Sequence, residues 1–459
     1  MRPSDKVQSS AKGKEYLRKK LQEKDLTQEK LAQLANMKST DTIKRLLGTK
    51  DCPNGVERWQ VTIIATALGI EPTDIVDPKD WYGENSLPPE FESLIAEKIK
   101  IFCGRQFVFD AFQQFINENP HGYFTIIGDA GMGKSSIVAK YASEHKSPCY
   151  FNILVEGRNR PELFLKSIRQ QLIDRYQLTS SEDADLPTLL AKVARKLTLG
   201  ERLVIAIDAL DEVKQEPGEN FLHLPTTLPN GINFLLTRRP YNLGKKRLSV
   251  SPGVPVKELD LRDGKYVNFN QNDIKEYIRF ILNTDSDYKN GLKNWIQTRS
   301  LTDTIFVEHL ANKSENNFMY LRYVLPAIAN GDYNDLSLKQ LPEGLQQYYQ
   351  NQWVRMGMEA NPGQLMEIVL YILLEIGTPI PCEMIAGIAE VDECEVAQVL
   401  EDKWVEYLKK QNVKEKICYS IYHASFIDFL KDKREMDVKR KLFQDVNQRI
   451  FEYFEREMA

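Results

Sequence analysis

The chain has 459 residues, 42% of them apolar and 27% charged, with a formal net charge of −4. This is ordinary composition for about three globular domains, and the charge excludes a wholesale polyanion binder while leaving room for a local basic surface. The six cysteines are scattered without a C-x-x-C pair, which argues against a zinc site or disulfide framework and fits a cytoplasmic, reducing environment.

The basic start, "MRPSDKVQSSAKGKEYLRKK", has no apolar segment behind it, so no signal peptide is expected. Residues 1–77 read as a compact all-helical unit. "KEYLRKKLQEKD" and "TQEKLAQLAN" are amphipathic, the second capped by Thr27. "STDTIKRLLG" ends at Gly48 and "VERWQVTIIATALG" at Gly69, as helices often do. Three prolines and few apolar repeats mark "DPKDWYGENSLPPEFE" as linker, with 78–97 as its expected extent.

From residue 98 to 262 short apolar runs alternate with amphipathic helices. "YFTIIG", "CYFNILV", "RLVIAID" and "INFLLT" are each short enough to be buried parallel strands, with "VKELDL" as one more candidate. Strand–helix–strand repetition of this kind predicts a doubly wound parallel sheet. Beyond it the chain is mostly helical. "NQNDIKEYIRFIL" sets Ile274, Tyr277, Ile278, Ile281 and Leu282 on one stripe, with Asn270 as the expected cap. "LMEIVLYILLEIG" is broken by Glu367 and Glu375, short of the ~18 apolar residues of a membrane span. The strand-like "ICYSIYH" then leads into "ASFIDFL", and "KLFQDVNQRIFEYFEREMA" closes the chain as an amphipathic helix.

The fold class expected is therefore multidomain, α plus α/β: a helical unit, a doubly wound parallel-sheet domain (98–262) whose "GDAGMGKS" has the phosphate-loop pattern of a P-loop NTPase, a helical domain (263–360), a further domain (361–435) and a C-terminal helix (436–459).

Three stretches carry chemistry. In "FTIIGDAGMGKSS", Gly128, Gly133, Lys134 and Ser135 satisfy G-x-x-x-x-G-K-S/T between an apolar strand and a helix. Glycines there, Gly131 included, let backbone N–H groups turn inward around phosphates, at the positive end of the helix that Lys134, Ser135 and Ser136 begin. Lys134 is expected to bridge the β- and γ-phosphates, and Ser135 to hold Mg²⁺. "RLVIAIDALDEV" delivers Asp208 to a strand end as the second Mg²⁺ group, with Asp211 and Glu212 as candidates for orienting the attacking water. "INFLLTRRP" sets Thr237, Arg238 and Arg239 at another strand end, where either arginine could meet a γ-phosphate. No stretch supports a guanine-reading loop, so the expected ligands are ATP and ADP with Mg²⁺.

The order of these pieces resembles the NACHT branch of the STAND class of signalling ATPases, over about residues 98–432. "DALDE" resembles that branch's acidic motif, with Ala209 as the small residue after the Mg²⁺ aspartate. "LLTRRP" is similar to its T-x-R-P motif, which implies Arg239 as γ-phosphate sensor, although Arg238 stands where the family has serine. "IFCGRQFVFDAFQQFI" resembles the entry segment, which implies Gly104 and Arg105 near the adenine. "NDIKEYIRFIL", "NNFMYLRYVL" and "LPEGLQQYY" follow the family's helical domain, Asn316 replacing an expected glycine. "YHASFIDFL" resembles the H-x-S-F-x-D-F-L signature of its winged-helix domain, which implies that His423 bonds the β-phosphate of ADP and clamps a closed state. The family generally carries a C-terminal repeat array as sensor; only residues 433–459 follow here, so sensing is expected in trans or from a minimal member.

The N-terminal unit resembles a lambda-repressor-like, Xre-type helix-turn-helix. That implies Ser39, Thr40, Asp41, Lys44 and Arg45 facing a major groove, with Gln28 and Lys50 near phosphates. Residues 1–76 hold fourteen Lys/Arg against ten Asp/Glu, and "LLGTKD" replaces the usual Glu-Arg-Gly. Duplex DNA and a partner protein both stand as partners of this unit. The function expected is an ATP/ADP-dependent switch, a slow ATPase that self-associates in the ATP state, with output in transcription control or anti-phage defence. The alternative is an AAA-like ATPase that assembles on DNA, the N-terminal unit serving as a protein-interaction module.

Overall fold

The computed structural model describes residues 6–70, 72–77, 80–81, 87–176, 178, 181, 183–214, 220–240, 248–359, 364–413, 415–436 and 441–458. These fall into two compact units. Parts of the expected linker (78–79 and 82–86) and of the expected boundary segments at 360–363 and 437–440 lie outside the described residues.

The first unit holds the residues up to Gly128, Lys134–Asn152 and Asn159–Phe269. It opens with a two-residue strand, β1 (Lys6–Val7), and four helices, α1 (Ala11–Glu23), α2 (Gln28–Leu34), α3 (Asp41–Leu46) and α4 (Arg58–Leu68). A second short strand, β2 (Val56–Glu57), pairs antiparallel with β1. Thr27 caps α2 by accepting the Lys30 N–H at 3.2 Å, and Gly69 ends α4 in the left-handed region. Leu17, Leu31, Ile43, Leu46, Val61, Ile64 and Leu68 form a core of their own. Trp81, expected in the linker, belongs to that core and carries the Arg58 guanidinium 5.0 Å from its ring centre. The linker expectation fails again at α5 (Pro89–Ile99), which starts at a proline suited to a first helical turn and buries Phe91 and Ile95.

After α6 (Gln106–Glu118) comes the parallel sheet: β3 (Gly122–Ile127), β4 (Cys149–Phe151), β5 (Leu203–Asp208), β6 (Ile232–Arg238) and β7 (Val256–Asp260), in the order β4-β5-β6-β3-β7. Helices α7 (Lys134–His145), α8 (Pro161–Tyr176) and α9 (Leu186–Ala194) connect the strands. Every residue of β3, β5 and β6 is buried, as continuous apolar runs in a doubly covered sheet require. The run "CYFNILV" supplies only three strand residues, because the chain turns into a 3₁₀ turn at Leu154–Glu156.

The second unit holds Asp129–Gly133, Ile153–Arg158 and Asn270–Ala459. Its helices are α10 (Val267–Thr284, the first turn of which belongs to the first unit), α11 (Lys289–Thr298), α12 (Asp303–Lys313), α13 (Phe318–Asn330), α14 (Gly344–Arg355) and α15 (Leu365–Ile376). Asn270 does not cap α10 as expected. The helix begins earlier, after a 3₁₀ turn capped by Asp263, and Asn270 lies buried inside it. A strand β8 (Ile380–Pro381), helices α16 (Cys382–Ala389) and α17 (Glu393–Gln398), and strands β9 (Leu408–Val413) and β10 (Lys416–Ile421) follow, then α18 (Ala424–Met436) and α19 (Lys441–Met458). The three strands form an antiparallel sheet, β8-β10-β9. Tyr323, Tyr348, Tyr349, Trp404, Tyr407, Phe426 and Phe429 pack ring to ring as the core here. No described helix is long and apolar enough to cross a membrane. The described cysteines are all free thiols.

Candidate functional site

Strand β3 runs into Gly128, and α7 begins at Lys134. Between them Gly131 and Gly133 take φ of +86° and +83°, a conformation that a side chain would strain. Lys134 curls back over the loop, and its Nζ donates to the Gly128 carbonyl at 2.7 Å. Ser135 and Ser136 follow in the first turn, both half-buried.

Asp208 ends β5 and is 5% exposed. It accepts hydrogen bonds from the hydroxyls of Ser135 and Thr237. The Thr237 hydroxyl oxygen in turn accepts the Ala209 N–H at 2.9 Å. Behind it, Asn152 Nδ2 donates to the Asp208 carbonyl at 2.7 Å, which fixes the strand end from the other side. Burial pushes the Asp208 carboxyl above the usual carboxylate range, against the pull of Ser135, Thr237 and Lys134. Ala209 stands at φ +55°, so the chain must fold back directly after the aspartate. A branched side chain there would be strained, which gives the small residue a physical reason.

The next turn, Leu210–Glu212, presents Asp211 and Glu212 half-buried. Asp211 accepts the Arg239 backbone N–H at 2.9 Å, and Arg239 Nε lies 3.3 Å from its other oxygen. Arg238 turns elsewhere: its guanidinium donates to Glu258 of β7 at 2.8 Å and to the Arg239 carbonyl at 3.0 Å. The two arginines that sequence leaves equivalent thus have different carboxylate partners, Glu258 for Arg238 at the end of β6 and Asp211 for Arg239 just beyond it. Arg239 joins the acidic turn after Asp208.

Gly104 and Arg105 both take positive φ at the start of α6. Arg105 is buried beside Phe107, which stacks on Tyr266 and packs on Phe269. In the second unit, His423 directly precedes α18 and is half-buried. Its Nδ1 accepts the Ser425 N–H at 3.2 Å and lies 2.6 Å from the Ser425 hydroxyl, which is 2.9 Å from Tyr349 Oη. Asn316 stands at φ +62°, a conformation open to both glycine and asparagine, which accounts for its taking an expected glycine's place.

In the N-terminal unit Ser39 and Lys50 are exposed, while Gln28, Thr40, Lys44 and Arg45 are half-buried. Lys50 pairs with Asp41 at 2.7 Å and holds that carboxyl below its usual range.

The donor set fits Mg²⁺ carried on a nucleotide: one serine hydroxyl and one carboxylate, both hard oxygen donors, already joined by a hydrogen bond. Among the described residues no cluster of three His, Cys, Asp or Glu could hold a metal without such a ligand.

No family model matches the chain, and no curated protein matches it. Among solved structures it is similar to Drosophila ORC bound to DNA, at 10% identity over 76% of this chain and 100% of that one, with a TM-score of 0.30. It is also similar to a STAND protein with a tetratricopeptide repeat sensor from Pyrococcus horikoshii, at 16% identity over 78% of this chain and 46% of that one, TM-score 0.32. A third is the RuvB Holliday junction branch migration motor of Thermotoga maritima, at 13% identity over 72% and 95%, TM-score 0.23.

Proposed function

We propose that the chain is a nucleotide-operated switch: a slow ATPase of the NACHT type that binds ATP and ADP with Mg²⁺. The observation that carries this reading is the convergence of Ser135 and Thr237 on buried Asp208, beside a glycine turn that Lys134 closes. Burial disfavours the charged form of this carboxylate, and the two hydroxyls and Lys134 offset that only in part. A structural core gains nothing from that, whereas a cation on a phosphate would use it.

In this reading Lys134 and the loop N–H groups bind the phosphates. Ser135 and Asp208 would hold Mg²⁺, which would supply charge neutralisation for the phosphates. Asp211 and Glu212 orient the attacking water, and Arg239 meets the γ-phosphate while Asp211 steadies it. Gly104 and Arg105 lie toward the adenine. His423 donates to the β-phosphate of ADP from a winged-helix domain at 361–435, and its loss of that contact opens the protein for self-association. Moving such an equilibrium from 1:99 to 99:1 takes about 5.5 kcal/mol. Two or three charge-assisted bonds of about 1.5–3 kcal/mol each reach that order.

The output is assigned to the N-terminal helix-turn-helix unit, through duplex DNA or a partner protein, in transcription control or antiviral defence. Its separate core around Leu17, Ile43 and Ile64 supports its being a module. The test is equilibrium binding of Mg²⁺–ATP and ADP to the full chain and to Lys134→Ala. Tight binding to the wild type, lost in the variant, is expected. Equal affinity in both would overturn the phosphate-loop assignment.

A further inference from the structure

A loop that turns its N–H groups inward around phosphates turns carbonyls outward, and these need partners of their own. At the tip of the loop, Ala130 and Gly131 find them at one point. Asn317 Nδ2 donates to the Ala130 carbonyl at 3.0 Å, and the Phe318 N–H donates to the Gly131 carbonyl at 2.9 Å. Both belong to the N-terminus of α13, which is 13 residues long. The Asn317 side-chain oxygen is at the same time the cap of that helix, accepting the N–H groups of Met319 at 2.9 Å and Tyr320 at 3.2 Å.

The amide is therefore used at both ends, and its orientation follows from its partners. Its oxygen serves the helix and its nitrogen serves the loop. The approach is close: a Cβ added to Gly131 would stand 2.2 Å from the Asn317 side-chain oxygen. The turn that carries Asn317 into place is itself unusual, with Glu315 and Asn316 both at positive φ, +51° and +62°. A helix cap needs only an oxygen, and serine or aspartate would serve it equally well. The second function of the side chain, the donor, is directed at the phosphate loop.

We propose that Asn317 is a positioning residue for the nucleotide, holding the Ala130–Gly131 peptide in the orientation that presents the loop's N–H groups to phosphate, and linking nucleotide occupancy to the first turn of α13. The inference rests on the phosphate-loop reading above. By linkage, whatever strengthens the loop's grip on phosphate also strengthens the Asn317 and Phe318 bonds.

Asn317→Ser keeps a helix cap but cannot reach the Ala130 carbonyl, and Asn317→Asp keeps the cap but sets a carboxylate against that carbonyl. Nucleotide affinity of both is measured against wild type and Lys134→Ala, with melting temperature in parallel. Asn317→Ser is expected to melt only a few degrees below the wild type, for the one bond it loses, and to bind ADP about tenfold more weakly, within the range of a coupling between two sites; Asn317→Asp loses more. In the unaltered protein, amide exchange at Phe318 should slow when ADP binds. If both variants bind like wild type while Lys134→Ala does not, and exchange at Phe318 is indifferent to ADP, the positioning role is overturned and the phosphate-loop reading survives. If the wild type binds no nucleotide, both fall.

Discussion

Arg239 meets Asp211 twice, its backbone N–H donating to one carboxylate oxygen at 2.9 Å and its Nε lying 3.3 Å from the other. Arg238, one residue earlier, is committed to Glu258 on the far side of β3. If Arg239 is the γ-phosphate group, Arg239→Ala should lower ATP turnover by about 10³-fold, the lower range for a transition-state arginine. Arg238→Ala should leave turnover within a few-fold and affect mainly stability. Steady-state phosphate release measures both. The reverse ranking would assign the sensor to Arg238.

Asp208 supplies a prediction with a definite sign. Burial raises its pKa above the unfolded value of about 3.9. The folded state therefore holds the proton more tightly than the unfolded one. The stability this contributes is fully present below the unfolded pKa and is lost as pH rises through the folded pKa. Asp208→Asn should remove that loss and stabilise the nucleotide-free protein near neutral pH, while abolishing the Mg²⁺ dependence of ATP binding. Urea unfolding at several pH values reads the first effect. A variant less stable than wild type at pH 7 would show that the carboxylate is well paired after all.

The Ser425 N–H donates to His423 Nδ1 at 3.2 Å, so a neutral His423 carries its proton on Nε2 and can donate from there. His423→Ala should speed ADP release by about 10–100-fold if that donor meets a phosphate oxygen. Ser425→Ala, which leaves the backbone contact in place, should do less. Stopped-flow release of a fluorescent ADP separates them. Unchanged release in His423→Ala would return the histidine to a packing role under Tyr422 and Ser425.

For the N-terminal unit, the Lys50–Asp41 pair is surface-exposed on both sides, a class worth little to stability. Lys50 can exchange it for a phosphate. If residues 1–77 bind duplex DNA, log affinity should fall linearly with log salt, and Lys50→Ala should lower the slope by about one. A flat response in a mobility-shift titration favours a protein partner.

What was legible in the sequence was local. Continuous apolar runs announced β3, β5 and β6, and Thr27 and Gly69 announced helix ends, because a strand's burial and a cap's chemistry are written within a few residues. Errors arose where a distant partner decides. Trp81 looked like linker because nothing in "DPKDWYGENS" has a period; what holds it is the core of the N-terminal unit and Arg58, 23 residues upstream. Asn152 follows β4 and its side chain donates to the Asp208 carbonyl, a contact that nothing in the run "CYFNILV" encodes. In the candidate site, the G-x-x-x-x-G-K-S spacing marks the glycine turn between β3 and α7, but spacing does not separate Arg238 from Arg239, whose partners Glu258 and Asp211 lie on other elements. Asn317 was passed over entirely, since its partner Ala130 lies 187 residues away and no local pattern encodes the contact.

The central claim is that nucleotide identity sets the assembly state. Native mass measurement of the full chain, wild type and Lys134→Ala, tests it with Mg²⁺–ADP and with a non-hydrolysable ATP analogue, each with and without duplex DNA. The expected result is a monomer with ADP, a defined oligomer of the wild type with the ATP analogue, and no oligomer of Lys134→Ala under either condition. One mass in every nucleotide state, or assembly of Lys134→Ala equal to wild type, would contradict it.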